Sequence, residues 1–147
     1  EIRRRKDFRE NISILEDAVV NAEGGMTGQE LHEANPVKHT FAGGCYIREI
    51  YNPADELIIT KIHKKEHPFF LMKGEGIQNI KAPYQGVTKP GTKRAIYTHE
   101  ECIFITVHAT DSTNIEDIEE EVVCTKYEDL PPGCDALEVL KKINLKE

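Results

Sequence analysis

The residues with the most reactive potential lie in "KIHKKEHPFFLMKGEG" (residues 61–76), which holds His63 and His67, two of the chain's six histidines. Two imidazoles at i and i+4 can ligate one metal from a helix face. That geometry is disfavoured here, because Pro68 follows His67 and pushes it out of the α region. The flanking "ELIITKI" and "FFLM" are also strand-like. On one continuous strand the two rings would sit about 13 Å apart, at about 3.3 Å per residue. Ligands must each lie about 2 Å from a shared ion, so the rings converge only if the chain turns between them. The polar "KKE" at residues 64–66 is the segment expected to turn. Three roles stay open for the pair: loop histidines at a hairpin, metal ligands, or direct contacts to a small molecule.

The elements that must position them are short. From Gly43 onward the chain reads as runs rich in Ile, Val, Phe, Tyr and Thr: "CYIREIYNP", "ELIITKIH", "HPFFLMKG", "GIQNIKAP", "YQGVTKPG", "KRAIYTH" and "ECIFITVHAT". Asn-Pro, Gly, Ala-Pro and Pro-Gly punctuate them, and strands at such spacing predict an antiparallel sandwich or barrel. Before this region, Ile12, Leu15, Val19 and Ala22 fall near helical spacing, with Gly24-Gly25 as a stop. The following "MTGQELHEANPVKHTFAGG" reads as a loop-rich arm with one helical turn near Gln29. After Thr110, "DSTNIEDIEEEVV" offers Ser112, Thr113 or Asn114 as an N-cap for an acidic helix. A second helix is expected in "CDALEVLKKINL". The organisation predicted is an N-terminal helix and arm over residues 1–42, a strand-rich domain over 43–110, and C-terminal helices packed on it over 111–147.

Composition bounds the function. At 147 residues, with 39% hydrophobic and 31% charged residues, one domain with its own core is expected. A net charge of −7 argues against general nucleic-acid binding, which needs a basic footprint. No apolar run approaches the length of a membrane span. The N-terminal stretch lacks a signal peptide's apolar segment, so a cytoplasmic protein is expected. Four cysteines, Cys45, Cys102, Cys124 and Cys134, form no C-x-x-C pair and are expected to stay reduced. There is no glycine-rich phosphate loop, nucleophile elbow or Cys-His nucleophile signature. His32, His39 and His99 read as surface or loop histidines.

Two strands joined by a histidine-bearing turn, ending in Gly-Glu-Gly and followed by a Pro-Gly-Thr, resemble the cupin superfamily. Its first motif runs His-x-His-x-x-x-Glu and then to a Gly; its second is Pro-x-Gly-x-x-His. Anchored on Gly74, "KIHKKEH" overlies the first motif, with Lys61 at the first histidine position, His63 at the second and His67 at the glutamate position. "KPGTKR" (residues 89–94) overlies the second, with Arg94 in place of its histidine. The resemblance covers residues 43–110 and implies an antiparallel cupin-type β-barrel, or jelly roll. The stretch "GTKRAIYTHEECIFITVHATD" is also similar to small cupin-like proteins encoded in bacteriophage genomes.

The resemblance implies a site in the barrel mouth, and the substitutions change its character. Two metal-ligand positions carry histidine, His63 and His67, and two have become cations. Lys61, His63, His67 and Arg94 are thus the expected contacts for a small anionic ligand, a metabolite or nucleotide-like molecule. Arginine's fork suits a phosphate or carboxylate. A rearranged metal site is the rival, with His63, His67 and His108 as ligands and Glu66 or water completing the shell around Fe, Mn, Zn or Ni. His108 joins because Cys102, Phe104, Thr106 and His108 alternate against the aliphatic Ile103, Ile105 and Val107. Arg48, with Glu49, is a further candidate inward charge. The functions implied are a ligand-binding cupin, a metal-dependent oxygenase, isomerase or lyase, or a structural or interaction protein of a phage. A homodimer is expected, with no nucleic-acid or membrane partner.

Overall fold

The computed structural model describes residues 1–76 and 80–144. Residues 77–79 of the expected "GIQNIKAP" strand, and Leu145 of the expected C-terminal helix, lie outside the described residues. The protein is mainly β and its sheets are antiparallel.

The largest sheet takes the order β1-β2-β10-β5-β8. Its strands are β1 (Val37–Ala42), β2 (Cys45–Asn52), β10 (Cys102–Ala109), β5 (His67–Lys73) and β8 (Tyr84–Thr88). Three two-stranded ribbons are also present among the described residues: β3 (Leu57–Ile59) with β9 (Ala95–Tyr97), β4 (Ile62–His63) with β11 (Val123–Cys124), and β6 (Glu75–Gly76) with β7 (Ile80–Lys81). Among the described residues the backbone pairing gives a five-stranded sheet and two-stranded ribbons, without the pairing that would close them into one barrel.

Two expectations are corrected. β1 occupies part of the segment read as a loop-rich arm, pairing with β2 from Val37↔Ile50 to Ala42↔Cys45. It escapes a pattern reading because nearly every residue in it is exposed at the sheet edge, so no alternation marks it. The run "ELIITKIH" divides into β3 and β4 instead of forming one strand. At the break Thr60 turns to the neighbouring ribbon, where its N–H donates to the Arg94 carbonyl (2.9 Å) and its hydroxyl accepts from the Arg94 N–H (3.0 Å).

Among the described residues, four α-helices flank the sheets. α1 (Ile2–Asn21) is longer than its apolar spacing suggested. Its first turns are strong helix formers, tied by Arg4–Glu1, Arg5–Glu1 and Arg3–Asp7 pairs. α2 (Gly28–Ala34) is the short helical turn foreseen near Gln29. α3 (Ile115–Val122) starts where Asn114 caps it, its side-chain oxygen accepting from the Asp117 N–H at 3.0 Å. α4 (Ala136–Asn144) packs against α1. No described helix is long and apolar enough to cross a membrane.

Antiparallel partners share a face, so the register fixes which side chains line the interior. On this face one row across the sheet is Phe41, Tyr46, His108; the next is His39, Arg48, Thr106, Phe69, Gly86; the third is Val37, Ile50, Phe104, Leu71, Tyr84, each buried towards its middle and more exposed at the sheet edges. Tyr46, Ile118 and Val122 form the main buried cluster, which fastens α3 over the end of the first row. Ile62 is fully buried beneath the same region. Burying each such aliphatic side chain is worth about 1.5–3 kcal/mol relative to leaving it exposed.

Candidate functional site

His63 and His67 do converge. Residues 64–66 bend the chain between β4 and β5, and the two imidazole centroids lie 4.8 Å apart. His67 is buried at the start of β5, and Thr88 of β8 is its paired neighbour. His108 is buried on β10, with its ring centroid 4.4 Å from that of His67. The three rings extend the first inward row, since Tyr46 stacks at 5.9 Å on His108 and Phe41 at 5.3 Å on Tyr46. The result is a ladder of rings, Phe41–Tyr46–His108–His67–His63, whose inner half is polar.

Each rung has its own support. His63 is held on both backbone sides: its N–H donates to the Thr92 carbonyl (3.0 Å) and its carbonyl accepts from the Gly91 N–H (2.7 Å), while Val123 of β11 pairs with it in register. The Pro-Gly-Thr turn thus builds the site by gripping the histidine strand. Gly91 has φ +79, and a Cβ there would lie 2.8 Å from the Cys134 carbonyl oxygen, so only glycine fits. α3 grips the same segment from outside. Lys61 pairs with Glu119, Lys65 with Glu121, and the Lys64 ammonium donates to the Glu120 carbonyl at 2.6 Å. The acidic face of α3 is thus the counter-charge of the "KIHKK" strand.

The hydrogen bonds fix part of the proton inventory. The Lys65 carbonyl can only accept, so His67 donates to it from Nδ1 at 3.2 Å. Neutral His67 therefore keeps a lone pair on Nε2. His108 Nε2 lies 3.0 Å from the Thr106 hydroxyl. The Nδ1 atoms of His63 and His108 are buried with no partner among the described residues. Burial, followed by the fields of His67, Arg94, His108 and Arg48, pushes the His63 pKa down to about 3. Burial, then His67 and Arg48, takes His108 to about 4. Burial also lowers His67, with Arg94 adding to it and the Lys65 carbonyl bond opposing it. All three are neutral at pH 7.

Arg94 and Arg48 stand at either side of the trio. The Arg94 guanidinium donates from Nη1 to the Thr88 hydroxyl at 3.0 Å and lies 5.4 Å from the Phe69 ring centroid. Arg48 projects from β2 on the inward face, between His39 and Thr106 in register. Burial depresses both guanidiniums below arginine's usual value. A cleft of about 460 Å³ opens beside Arg94, Phe69 and Gly86, with Phe8 of α1 also lining it; the histidines do not line it.

The remaining expected residues sit elsewhere. Lys61 precedes β4 where α3 runs past, so its ammonium is taken up by Glu119 at the surface instead of pointing inward. Glu66 is exposed and paired with Lys89, away from the imidazoles. Tyr46 and Thr88 are parts of the site that the sequence pattern did not single out, whereas Thr106 lies on the alternating face read together with His108. Alternation of Tyr46 with Arg48 along β2 was the available signal for the first.

A divalent metal must be tested against this geometry. The protonation state suits ligation, since three neutral imidazoles and two unpaired Nδ1 atoms are present. The placement does not suit it. Among the described residues no group of three or more His, Cys, Asp or Glu side chains is arranged to hold an ion. The carboxylate expected to complete the shell is bound to Lys89, and two cations flank the rings. As placed, these residues do not fit a metal centre.

No protein-family model matches the chain, and no curated protein resembles it in sequence. Among solved structures it is similar to an uncharacterized protein with a double-stranded β-helix domain from Klebsiella pneumoniae (TM-score 0.46, 15% identity, 64% of this chain and 93% of that one). It is also similar to an acetylacetone dioxygenase from Acinetobacter johnsonii (TM-score 0.44, 14% identity, 60% and 75%). A cupin-2 domain protein from Shewanella frigidimarina matches at TM-score 0.40 and 15% identity, over 50% and 78% of the two chains. These neighbours are of the cupin kind, and likenesses this distant transfer no activity.

Proposed function

We propose that this protein is a small-molecule-binding cupin whose interior holds a compact anionic ligand, a metabolite or nucleotide-like molecule, against Arg94 and the His63–His67–His108 ladder. The observation that supports this reading is the state of the inward cations. Lys61, Lys65, Lys73, Lys89, Lys93 and Arg9 all have a carboxylate partner. Arg94 and Arg48 have none among the described residues, although both are partly buried. A buried charge without a counter-ion is costly, and a carboxylate or phosphate entering beside Arg94 would relieve that cost. The neutral imidazoles add hydrogen-bonding nitrogens, and the Phe69–Phe104 stack (5.3 Å between centroids) supplies an apolar floor.

Calorimetric titration of the tag-free protein with phosphate and small carboxylates tests the reading. Binding is expected, and Arg94→Ala should weaken it by about 2–5 kcal/mol without unfolding the chain, the usual effect of truncating one side of a desolvated charge pair. Unchanged affinity in the variant would refute the assignment. The unpaired Nδ1 atoms of His63 and His108 support a second reading, a metal-dependent cupin enzyme whose rings reorient around an ion. Near-stoichiometric metal in elemental analysis, lost on His63→Ala or His67→Ala, would favour that reading; metal-free protein that binds anions favours the first.

A further inference from the structure

We infer that the ligand carries two separate anionic groups, one for Arg94 and one for Arg48, joined by a short apolar spacer. This rests on the anion-binding reading above and names the class of ligand. Arg94, through its bond to Thr88, is anchored at the β8 side of the sheet, whereas Arg48 rises from β2. β10 and β5 lie between those strands. Three strand spacings amount to about 14 Å between backbones, and the inward reach of the Arg48 side chain shortens the gap. One carboxylate cannot serve both forks, while the two ends of a small diacid can.

The surface between the two arginines has the complementary character. In the second inward row, Arg48 is followed by Thr106, Phe69 and Gly86. The Phe69 ring covers Gly86 so closely that a Cβ there would lie 2.7 Å from the ring. Phe69, packed on Phe104 and buried, gives this row an apolar middle that suits methylene groups, and the Thr106 hydroxyl beside Arg48 is shared with His108 Nε2 at 3.0 Å. Nothing acidic among the described residues forms an ion pair with either guanidinium. An α,ω-dicarboxylate or a carboxylate–phosphate of a few carbons satisfies both charges at once.

Glutarate against butyrate is the deciding comparison, with inorganic phosphate as a single-anion control, all titrated into the full chain. Glutarate is expected to bind at least tenfold more tightly than butyrate. Arg48→Met should bring glutarate to the butyrate level while leaving butyrate affinity at Arg94 within about twofold. The same variant should raise the thermal midpoint of the ligand-free protein, because it removes an unpaired buried charge and keeps the side-chain volume. Arg48→Lys, which keeps the charge and loses the fork, should lie between the two and serves if Arg48→Met does not fold. Equal affinities for glutarate and butyrate, both lost on Arg94→Ala, would overturn the two-anion inference and leave the single-anion reading standing. Failure of all three probes to bind would overturn both.

Discussion

At the scale of residues, the site is a row of imidazoles kept neutral by burial, and that has a cost in acid. An unfolded histidine takes up its proton near 6.5, whereas His108 and His63 do so only at about 4 and about 3 in the folded chain. Between those values the unfolded state binds more protons, so stability rises with pH across the window. It is fully present above about 6.5 and is lost as pH falls towards 3. Urea denaturation at pH 7 and pH 4.5 should differ by a few kcal/mol, since each histidine loses about 1.4 kcal/mol per pH unit within that window. His108→Asn should flatten that slope; an unaltered slope would mean the ring is not buried neutral. These residues were partly legible beforehand. Pro68 and strand geometry required a turn between His63 and His67, and alternation pointed to His108. Arg48 was visible only as a candidate, because its lack of a partner depends on strands distant in sequence. Lys61 misled because α3 offers Glu119 just outside β4, and no pattern local to residues 61–76 contains that helix.

At the scale of elements, the backbone is shaped around particular side chains. Gly86 leaves room for the Phe69 ring, which in turn lies under Arg94. Gly86→Val should cost about 1–3 kcal/mol of stability by overpacking, and should weaken anion binding more than a surface change on the same strand, such as Gln85→Val. Equal effects from the two variants would show that Phe69 is free to move. The long apolar strands β5 and β10 were legible in the sequence, as was α3, with Asn114 one of three N-caps it offered. β1 and β11 were not: one is an exposed edge, and the other is two residues long. Elements of that kind are made by their partners, and single-sequence periodicity does not register partners.

At the scale of the whole molecule, the helices are fastened to one another and to the strand region by a few polar clamps. Arg9 of α1 donates to Asp135 at 2.5 and 3.2 Å and lies 3.7 Å from the Tyr127 ring centroid. Burial raises the Asp135 pKa, but the bonds from Arg9 and the Leu137 and Glu138 amides win and hold it below the usual carboxylate value. Arg9→Ala removes both the ion pair and the ring contact, so a loss of about 1–3 kcal/mol is expected. Because α1 also supplies Phe8 to the cleft beside Arg94, a loosened helix should speed ligand exchange as well as lower the melting temperature. A variant that melts earlier with unchanged ligand off-rate would separate the two roles.

The pairing of β4 with β11 also bears on the order in which the protein assembles. Ile62 meets Cys124 across roughly 60 residues of chain, and the Pro-Gly-Thr turn meets His63 across roughly 30. Hairpins such as β1–β2 close locally and early, whereas these long closures carry their entropy cost before any contact offsets it. The sheet that carries His108 is equally non-local, since β10 meets β2 across roughly 60 residues between Cys45 and Ala109, so the histidine ladder as a whole is expected to complete after the local hairpins. Substitutions at Gly91 or along β11 should accelerate unfolding and leave the refolding rate nearly unchanged.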